Sequence, residues 1–250
     1  MEITTKTTIS EIVRFNFKSV EVFEKYGIDF CCGGKKTLAS VCETKNLNFE
    51  DIQNDLKNFL FVNDIFSEWD ERFLIDYIVN VHHSFLKKEL PVIQERIDKV
   101  YMKHSEKYPE IIKIKEVFTG LKKELEDHTN KEETILFPYI KKLRDCADTN
   151  SDFQLPPFGT IDNPIKVMER EHTDAGNALE ELKALTKNFK IEDSYCNTHG
   201  VTYKELENLY KDLHIHIHLE NNILFPKAIA LENELTNKNK PQQEVCSCSL

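Results

Sequence analysis

The stretch His128-Thr-Asn-Lys-Glu132-Glu-Thr-Ile-Leu-Phe-Pro138 occurs a second time in this chain, as His216-Ile-His-Leu-Glu220-Asn-Asn-Ile-Leu-Phe-Pro226. Both copies follow the pattern His-x-x-x-Glu-x-x-Ile-Leu-Phe-Pro. A histidine and a glutamate four residues apart lie on the same face of a helix, one turn from each other, so both can reach one metal cluster. The duplication predicts two equivalent helices that face each other. The proline that closes each copy predicts a kink beyond the site.

Hydrophobic periodicity places both copies in the core of a helical bundle. Core positions recur every three or four residues, at Leu206, Leu209, Leu213, His216, Glu220 and Ile223, and again at Leu121, Leu125, His128, Glu132 and Ile135. Polar side chains in such a stripe are costly unless they are paired or bind a metal. One pair could belong to a hydrogen-bonded core network, but two copies at equal spacing favour metal ligands. His214 and His218 fall off the stripe, and we expect them to be exposed.

Two further helices each offer one histidine to the same core. Their stripes are Ile165, Met168, His172, Ala175 and Leu179, and Ile75, Val79, His83, Leu86 and Leu90. The second stripe favours His83 over its neighbour His82. A single histidine in a stripe is more often a hydrogen-bonded core residue, but here one from each helix completes a coordination shell. The candidate metal ligands are His83, His128, Glu132, His172, His216 and Glu220.

This donor set predicts the kind of metal. Imidazoles and carboxylates without a thiolate suit a divalent ion with open octahedral positions, whereas structural zinc favours a closed tetrahedral site, usually with cysteine. Two shared carboxylates indicate two metal ions bridged by Glu132 and Glu220. Iron is the first choice and manganese the second.

The predicted fold class is all-α, with a small N-terminal helical domain (residues 1–66) followed by an antiparallel four-helix bundle (residues 67–235). The bundle helices are predicted at about 70–104, 109–146, 164–188 and 202–234, with a kink at Pro91 in the first. Gly27 is predicted to follow a helix end, and Asn48 to cap a helix start. The polar tail, residues 236–250, is predicted to be disordered.

Bulk composition narrows the class of partner. The chain has 33 Lys and Arg against 43 Asp and Glu, for a net charge of −10, and it carries no long basic stripe, so nucleic acid is not an expected partner. No apolar run approaches the roughly 20 residues that span a bilayer, and the N-terminus lacks the pattern of a signal peptide. We therefore expect a cytoplasmic protein that does not engage a membrane.

Seven cysteines form no spaced disulfide framework, which points to thiol or metal chemistry. Cys31 and Cys32 are adjacent, and Cα atoms only ~3.8 Å apart do not easily form a disulfide. The Gly-Gly pair, two lysines and a helix start that follow are predicted to favour thiolates, which makes both cysteines candidate reactive thiols. The alternative is two small side chains packed against a turn. Packing or surface placement is expected of Cys42, Cys146 and Cys196. Cys246 and Cys248 are expected to be incidental residues of a disordered tail, with metal capture as the alternative.

These motifs resemble a known family. Residues 67–234 look like the hemerythrin-like HHE domain, and the whole chain except its tail resembles the RIC (repair of iron centres) di-iron proteins. Tyr26-Gly-Ile-Asp-Phe-Cys-Cys-Gly-Gly-Lys-Lys-Thr-Leu is similar to the small N-terminal domain of that family. The family's ligands fall on the six residues named above.

The resemblance implies two non-haem iron ions with an oxo or hydroxo bridge. It also implies a cytoplasmic stress protein that helps to repair iron–sulfur clusters damaged by nitric oxide or peroxide, by donating iron. Damaged iron–sulfur proteins would be its partners, and nitric oxide, oxygen or peroxide its small ligands. Two alternatives stay open: a protein that binds or senses oxygen or nitric oxide, and a di-iron reductase of nitric oxide or peroxide. The Cys-Cys-Gly-Gly segment favours repair, because a plain carrier would not need it.

Overall fold

The computed structural model describes residues 3–16, 18–31, 33–57, 65–151 and 153–238. Within these ranges the elements are helical, apart from an isolated bridge between Thr8 and Thr37, which confirms the predicted all-α class. The N-terminal segment contains α1 (Ile9–Phe15), α2 (Ser19–Lys25), α3 (Leu38–Lys45) and α4 (Phe49–Lys57).

Four long helical segments follow. The first is α5 (Glu71–Tyr77), π1 (Ile78–His83) and α6 (Ser84–His104); the second is α7 (Glu110–Lys131), π2 (Glu132–Leu136) and α8 (Phe137–Thr149). The third is α9 (Asp162–Leu185), and the fourth is α10 (Asn197–Leu219), π3 (Glu220–Leu224) and α11 (Phe225–Lys238). These bounds lie within a few residues of those predicted. Helix α6 continues through Pro91 to His104.

Each bundle helix packs beside two others. Helix α6 contacts α7 and α10, and α9 contacts the same two helices from the other side. Consecutive helices are thus neighbours joined by short loops, which is the arrangement of an antiparallel four-helix bundle. Their shared face buries large apolar side chains such as Ile97, Phe118 and Leu209. Burying one such side chain stabilises the fold by about 1.5–3 kcal/mol relative to leaving it exposed.

Pro138 and Pro226 follow Glu132 and Glu220 at the same spacing, and they explain the π-helical turns π2 and π3. A proline has no N–H to donate, and its ring clashes with the carbonyl four residues earlier. The helix widens before each proline: the N–H of Phe137 donates to the carbonyl of Glu132, and that of Phe225 donates to the carbonyl of Glu220. The local change is thus an extra residue in one turn, and the predicted kinks stay predictions. Ile135, which was predicted to face the core, is 52% exposed.

The N-terminal segment packs on the bundle and shares its core. Phe30 and Cys31 belong to the same continuous apolar cluster as Leu213 and Ile217 of α10, and α1 packs against π3. Gly27 adopts a positive φ of 61° just after α2, as predicted for a glycine that follows a helix end.

The predicted cap at Asn48 and the predicted start of the tail can both be compared with the structure. The side chain of Asn48 accepts a hydrogen bond from the N–H of Glu50 at 2.9 Å at the start of α4, as predicted. Helix α11 reaches Lys238, three residues into the predicted tail. Residues 239–250, with Cys246 and Cys248, lie outside the described residues, as do residues 58–64 next to the predicted domain boundary, which stays a prediction.

None of the described helices combines the length and the apolar character needed to cross a membrane.

Candidate metal centre

Two groups of buried side chains meet in the centre of the bundle. One contains His83, Glu132, His216 and Glu220, and the other contains His128, Glu132, His172 and Glu220. In each group the potential ligand atoms all lie within 4.8 Å of one another. Together the groups contain all six predicted ligands, drawn from all four bundle helices. Both glutamates belong to both groups and are completely buried.

The distances divide this centre into two halves that share the carboxylates. In one half, Nε2 of His83 and Nε2 of His216 are 3.1 Å apart; in the other half, the same atoms of His128 and His172 are 3.0 Å apart. Glu220 directs Oε1 towards His216 at 2.9 Å and Oε2 towards His172 at 3.1 Å. It therefore spans the two halves, with one oxygen for each.

Glu132 spans the centre in a different way. Its Oε2 lies 3.4 Å from Nε2 of His83 and 3.3 Å from Nε2 of His128, one histidine from each half. Both oxygens of Glu132, and Oε2 of Glu220, are buried without a hydrogen-bond partner among the described residues. An ionised carboxylate in such a position is costly unless cations compensate it. This donor set therefore fits a pair of metal ions held between the two carboxylates.

Three of the four histidines are oriented by a hydrogen bond on the other ring nitrogen. Nδ1 of His83 pairs with Glu133, that of His128 with Glu171, and that of His172 with Asn221, each at 2.8 Å. Because these partners accept a hydrogen bond from Nδ1–H, the lone pair of Nε2 points into the centre. This arrangement is typical of metal-binding histidines.

Sequence reasoning missed these partners, although a usable signal was present. Each one adjoins a predicted ligand in the chain: Glu133 follows Glu132, Glu171 precedes His172, and Asn221 follows Glu220. Glu133 and Asn221 also occupy the same position in the two copies of the repeat. Each orients a histidine of a neighbouring helix. The repeat therefore includes a residue that orients a candidate ligand as well as the candidate ligands themselves.

His216 has a different environment. Its Nδ1 has no hydrogen-bond partner among the described residues. Its ring stacks on that of His82, with centroids 5.4 Å apart, and Nδ1 of His82 pairs with Asp212 at 3.0 Å. His82 is buried but belongs to neither ligand group, so the choice of His83 over His82 agrees with the geometry.

The buried carboxyl and imidazole groups of the centre shift one another's pKa. Burial opposes ionisation of Glu132 and Glu220, yet the neighbouring histidines hold the pKa of both carboxyls below the usual range. Burial likewise opposes protonation of His83 and His128, but contacts with the carboxylates raise the pKa of each to about 10. Without metal, protons on these imidazoles balance the buried carboxylates, and a bound cation would displace them.

The expectation that His214 and His218 are exposed is wrong. Both are buried, because the N-terminal segment covers this face of α10: the ring of Phe30 lies 5.9 Å from His214 and 6.1 Å from His218. Nδ1 of His214 donates to the carbonyl of Tyr210 at 2.7 Å. Neither histidine belongs to a ligand group. Their prediction as non-ligands therefore agrees with the structure, whereas their predicted exposure does not.

His199, to which the sequence assigned no role, is also buried. It stacks on Tyr195 at 3.8 Å within a cluster of tyrosines, and burial lowers its pKa.

Cys31 lies in a setting that differs from the predicted one. Helix α3 begins at Leu38 with Thr37 as its N-cap, directly after the two lysines, as predicted. The Sγ of Cys31, however, donates to Oδ1 of Asp29 at 3.2 Å, and the residue is 2% exposed. It lines a cavity of about 550 Å³ between the N-terminal segment and helices α9 and α10. Cys32 lies outside the described residues, and a reactive role for either thiol stays a prediction.

The support of His128 can be tested by Glu171→Ala. We expect metal affinity to fall about 10- to 100-fold, because loss of a carboxylate that orients a ligand has effects of this size. Competition with a chelator measures the affinity. Glu181→Ala, a change at a partly exposed residue of the same helix, should leave affinity unchanged. Equal affinities for the two variants would contradict an orienting role for Glu171.

The sequence of this chain is similar to two domain families and to several known proteins. Residues 74–228 match the hemerythrin HHE cation binding domain, and residues 5–59 match a domain of unknown function, DUF542. The chain is 37% identical over 215 residues to the iron-sulfur cluster repair protein YtfE of Citrobacter koseri, with 84% of this chain and 91% of the relative covered. The proteins of the same name from Shigella boydii and Escherichia coli match with the same identity and coverage. The chain therefore belongs to the hemerythrin HHE cation-binding family and, within it, to the family of the iron-sulfur cluster repair protein YtfE, as the resemblance in its repeat and Cys-Cys-Gly-Gly segment predicted.

Proposed function

We propose that this protein binds two non-haem iron ions and helps to repair iron–sulfur clusters damaged by nitrosative or oxidative stress, by donating iron. The observation that carries the proposal is the pair of ligand groups that share two completely buried carboxylates. The relatives support the repair role, since they bear the name iron-sulfur cluster repair protein and the match covers 91% of their length.

The proposed ligands divide evenly between the two ions. His83 and His216 would hold one ion, His128 and His172 the other, and Glu132 and Glu220 would bridge them. Iron is preferred over zinc because the donors are nitrogen and oxygen without a thiolate, and manganese is the second choice. When bound, the two ions supply redox chemistry and a store of exchangeable iron.

Residues of the protein would control how the iron is held and exchanged. Glu133, Glu171 and Asn221 keep three imidazoles in the orientation that binds metal. Burial of the carboxylates keeps solvent away from the bridging oxygens. Only two histidines would hold each ion, and such a donor set would leave room for small ligands, which favours exchange of iron over permanent storage.

We place this activity in the cytoplasm, with damaged iron–sulfur proteins as partners and nitric oxide, oxygen or peroxide as small ligands. Among the described residues, Cys42, Cys146 and Cys196 form no disulfide, as expected in a reducing compartment.

Metal content tests the proposal. Protein purified without oxygen should hold about two iron ions per chain and give a Mössbauer spectrum of paired iron sites. The iron-loaded protein should reactivate an iron–sulfur enzyme inactivated by nitric oxide, and the iron-free protein should not. One metal per chain, or zinc as the preferred occupant, would contradict the di-iron centre; a loaded protein without reactivation would contradict the repair role.

A further inference from the structure

The turn π3 connects the metal centre to the N-terminal segment through three consecutive residues. Glu220 belongs to both ligand groups, and Asn221 orients His172. Asn222 faces the other way. Its Nδ2 donates to the carbonyl of Phe30 at 3.3 Å and lies 2.9 Å from Nδ1 of His218. The side chain that touches the N-terminal segment is therefore two residues from a proposed bridging ligand.

The turn at residues 33–35 approaches Asn222 closely. A Cβ atom added to Gly34 would lie 2.7 Å from Oδ1 of Asn222 and 3.0 Å from the carbonyl of Phe30. Both distances are shorter than ordinary contacts, so a side chain at this position would force the Asn222 amide or the turn to shift. Asn222 is itself 4% exposed. The contact therefore depends on both the absence of a side chain at Gly34 and the buried amide of Asn222.

The first copy of the repeat shows what Asn222 adds. The matching residue is Thr134, which is exposed and whose hydroxyl donates to the carbonyl of Asn130 in its own helix. The next position differs in the same way, since Ile135 is 52% exposed and Ile223 is 2% exposed. Both turns carry a shared glutamate, but π3 is the one against which α1 packs.

We propose that Asn222 is a positioning residue that couples docking of the turn at residues 33–35 to the metal centre. With the turn docked, Asn222 holds π3 so that Glu220 and the Asn221–His172 pair keep their places. With the turn displaced, π3 loses this support on its outer side, and the side chains of the His128–His172 half would hold their ion less firmly. This inference rests on the proposed function, because it assumes that the centre holds iron.

Two variants test the coupling from opposite sides. Asn222→Ala removes the side chain that the turn contacts, and Gly34→Ala places a Cβ atom where the Asn222 amide lies, so that the amide and the turn can no longer pack as they do. Each should speed loss of iron to a chelator by about tenfold, in line with other residues that support metal ligands, and should alter the visible spectrum of the bound iron. Thr134→Ala, the matched change in the first copy, should release iron at the wild-type rate.

Amide hydrogen exchange supplies a readout that needs no metal. In the iron-free protein, both variants should raise exchange in π3 while π2 keeps the wild-type rate. The double variant should lose iron no faster than Gly34→Ala alone, because the two changes break one contact. Equal exchange in π2 and π3, or release rates that match wild type, would overturn the coupling. Wild-type protein that holds no iron would defeat the proposed function instead, and the exchange data would still test the contact.

Discussion

Glu132→Ala is expected to reduce the metal content from about two ions per chain to near zero. Glu132 is in both ligand groups, so its removal takes a bridging donor from both ions at once. The change also leaves Glu220 as the sole carboxylate of the two ligand groups, which weakens the attraction for any cation. Elemental analysis of protein loaded without oxygen gives the metal content, and circular dichroism shows whether the helices persist.

The matched control for this change is Glu124→Ala, at an exposed glutamate on α7. It removes the same side chain from the same helix, and we expect it to keep both ions. A Glu132→Ala variant that kept two ions would show that Glu132 bridges nothing. Retention of one ion would place Glu132 in only one half of the centre.

Cys31→Ser is expected to abolish reactivation of a nitric-oxide-damaged iron–sulfur enzyme while the protein keeps both iron ions. No proposed ligand is a cysteine, so iron loading should not change. The serine hydroxyl can still donate to Asp29, as Sγ does at 3.2 Å, so the turn should keep its shape. A transfer step that uses the thiol would be lost. Iron per chain and recovered enzyme activity are the two measurements.

The control for the thiol is Cys42→Ser. Cys42 is also a buried residue of the N-terminal segment, and burial raises the pKa of its thiol. It packs in the apolar core and should be dispensable for repair. Full repair by Cys31→Ser, and also by Cys31→Ser/Cys32→Ser, would leave the pair as packing residues. Loss of repair in both Cys31→Ser and Cys42→Ser would indicate a folding defect instead.

The six candidate ligands could be predicted from the local sequence pattern. Because a regular helix returns to the same face every three or four residues, the apolar positions around His128, His172 and His216 were enough to show that these polar side chains point inward. The repeated His-x-x-x-Glu spacing then paired each glutamate with its histidine. The structure brings together all six residues that this argument named.

The error at Ile135 has causes that periodicity does not include. Pro138 prevents the regular hydrogen bond to the turn before it, and the helix takes up an extra residue there, which alters the register. Ile223 precedes Pro226 at the same distance and in the same kind of turn, yet it is 2% exposed, and π3 packs against α1 and α5. A regular repeat of 3.6 residues predicted both side chains to face inward, whereas contacts with other helices decide which of them is buried.

By itself, the sequence determined the helices, the inward-facing positions of the candidate ligands and the family, since each depends on residues close together in the chain. The tertiary structure alone decided which side chain orients which histidine, as with Glu171 and His128 on neighbouring helices. It also decided that His214 and His218 are buried, because the segment that covers them lies nearly 200 residues away in sequence. Burial and hydrogen bonding depend on contacts between distant segments, and no local periodicity records those contacts.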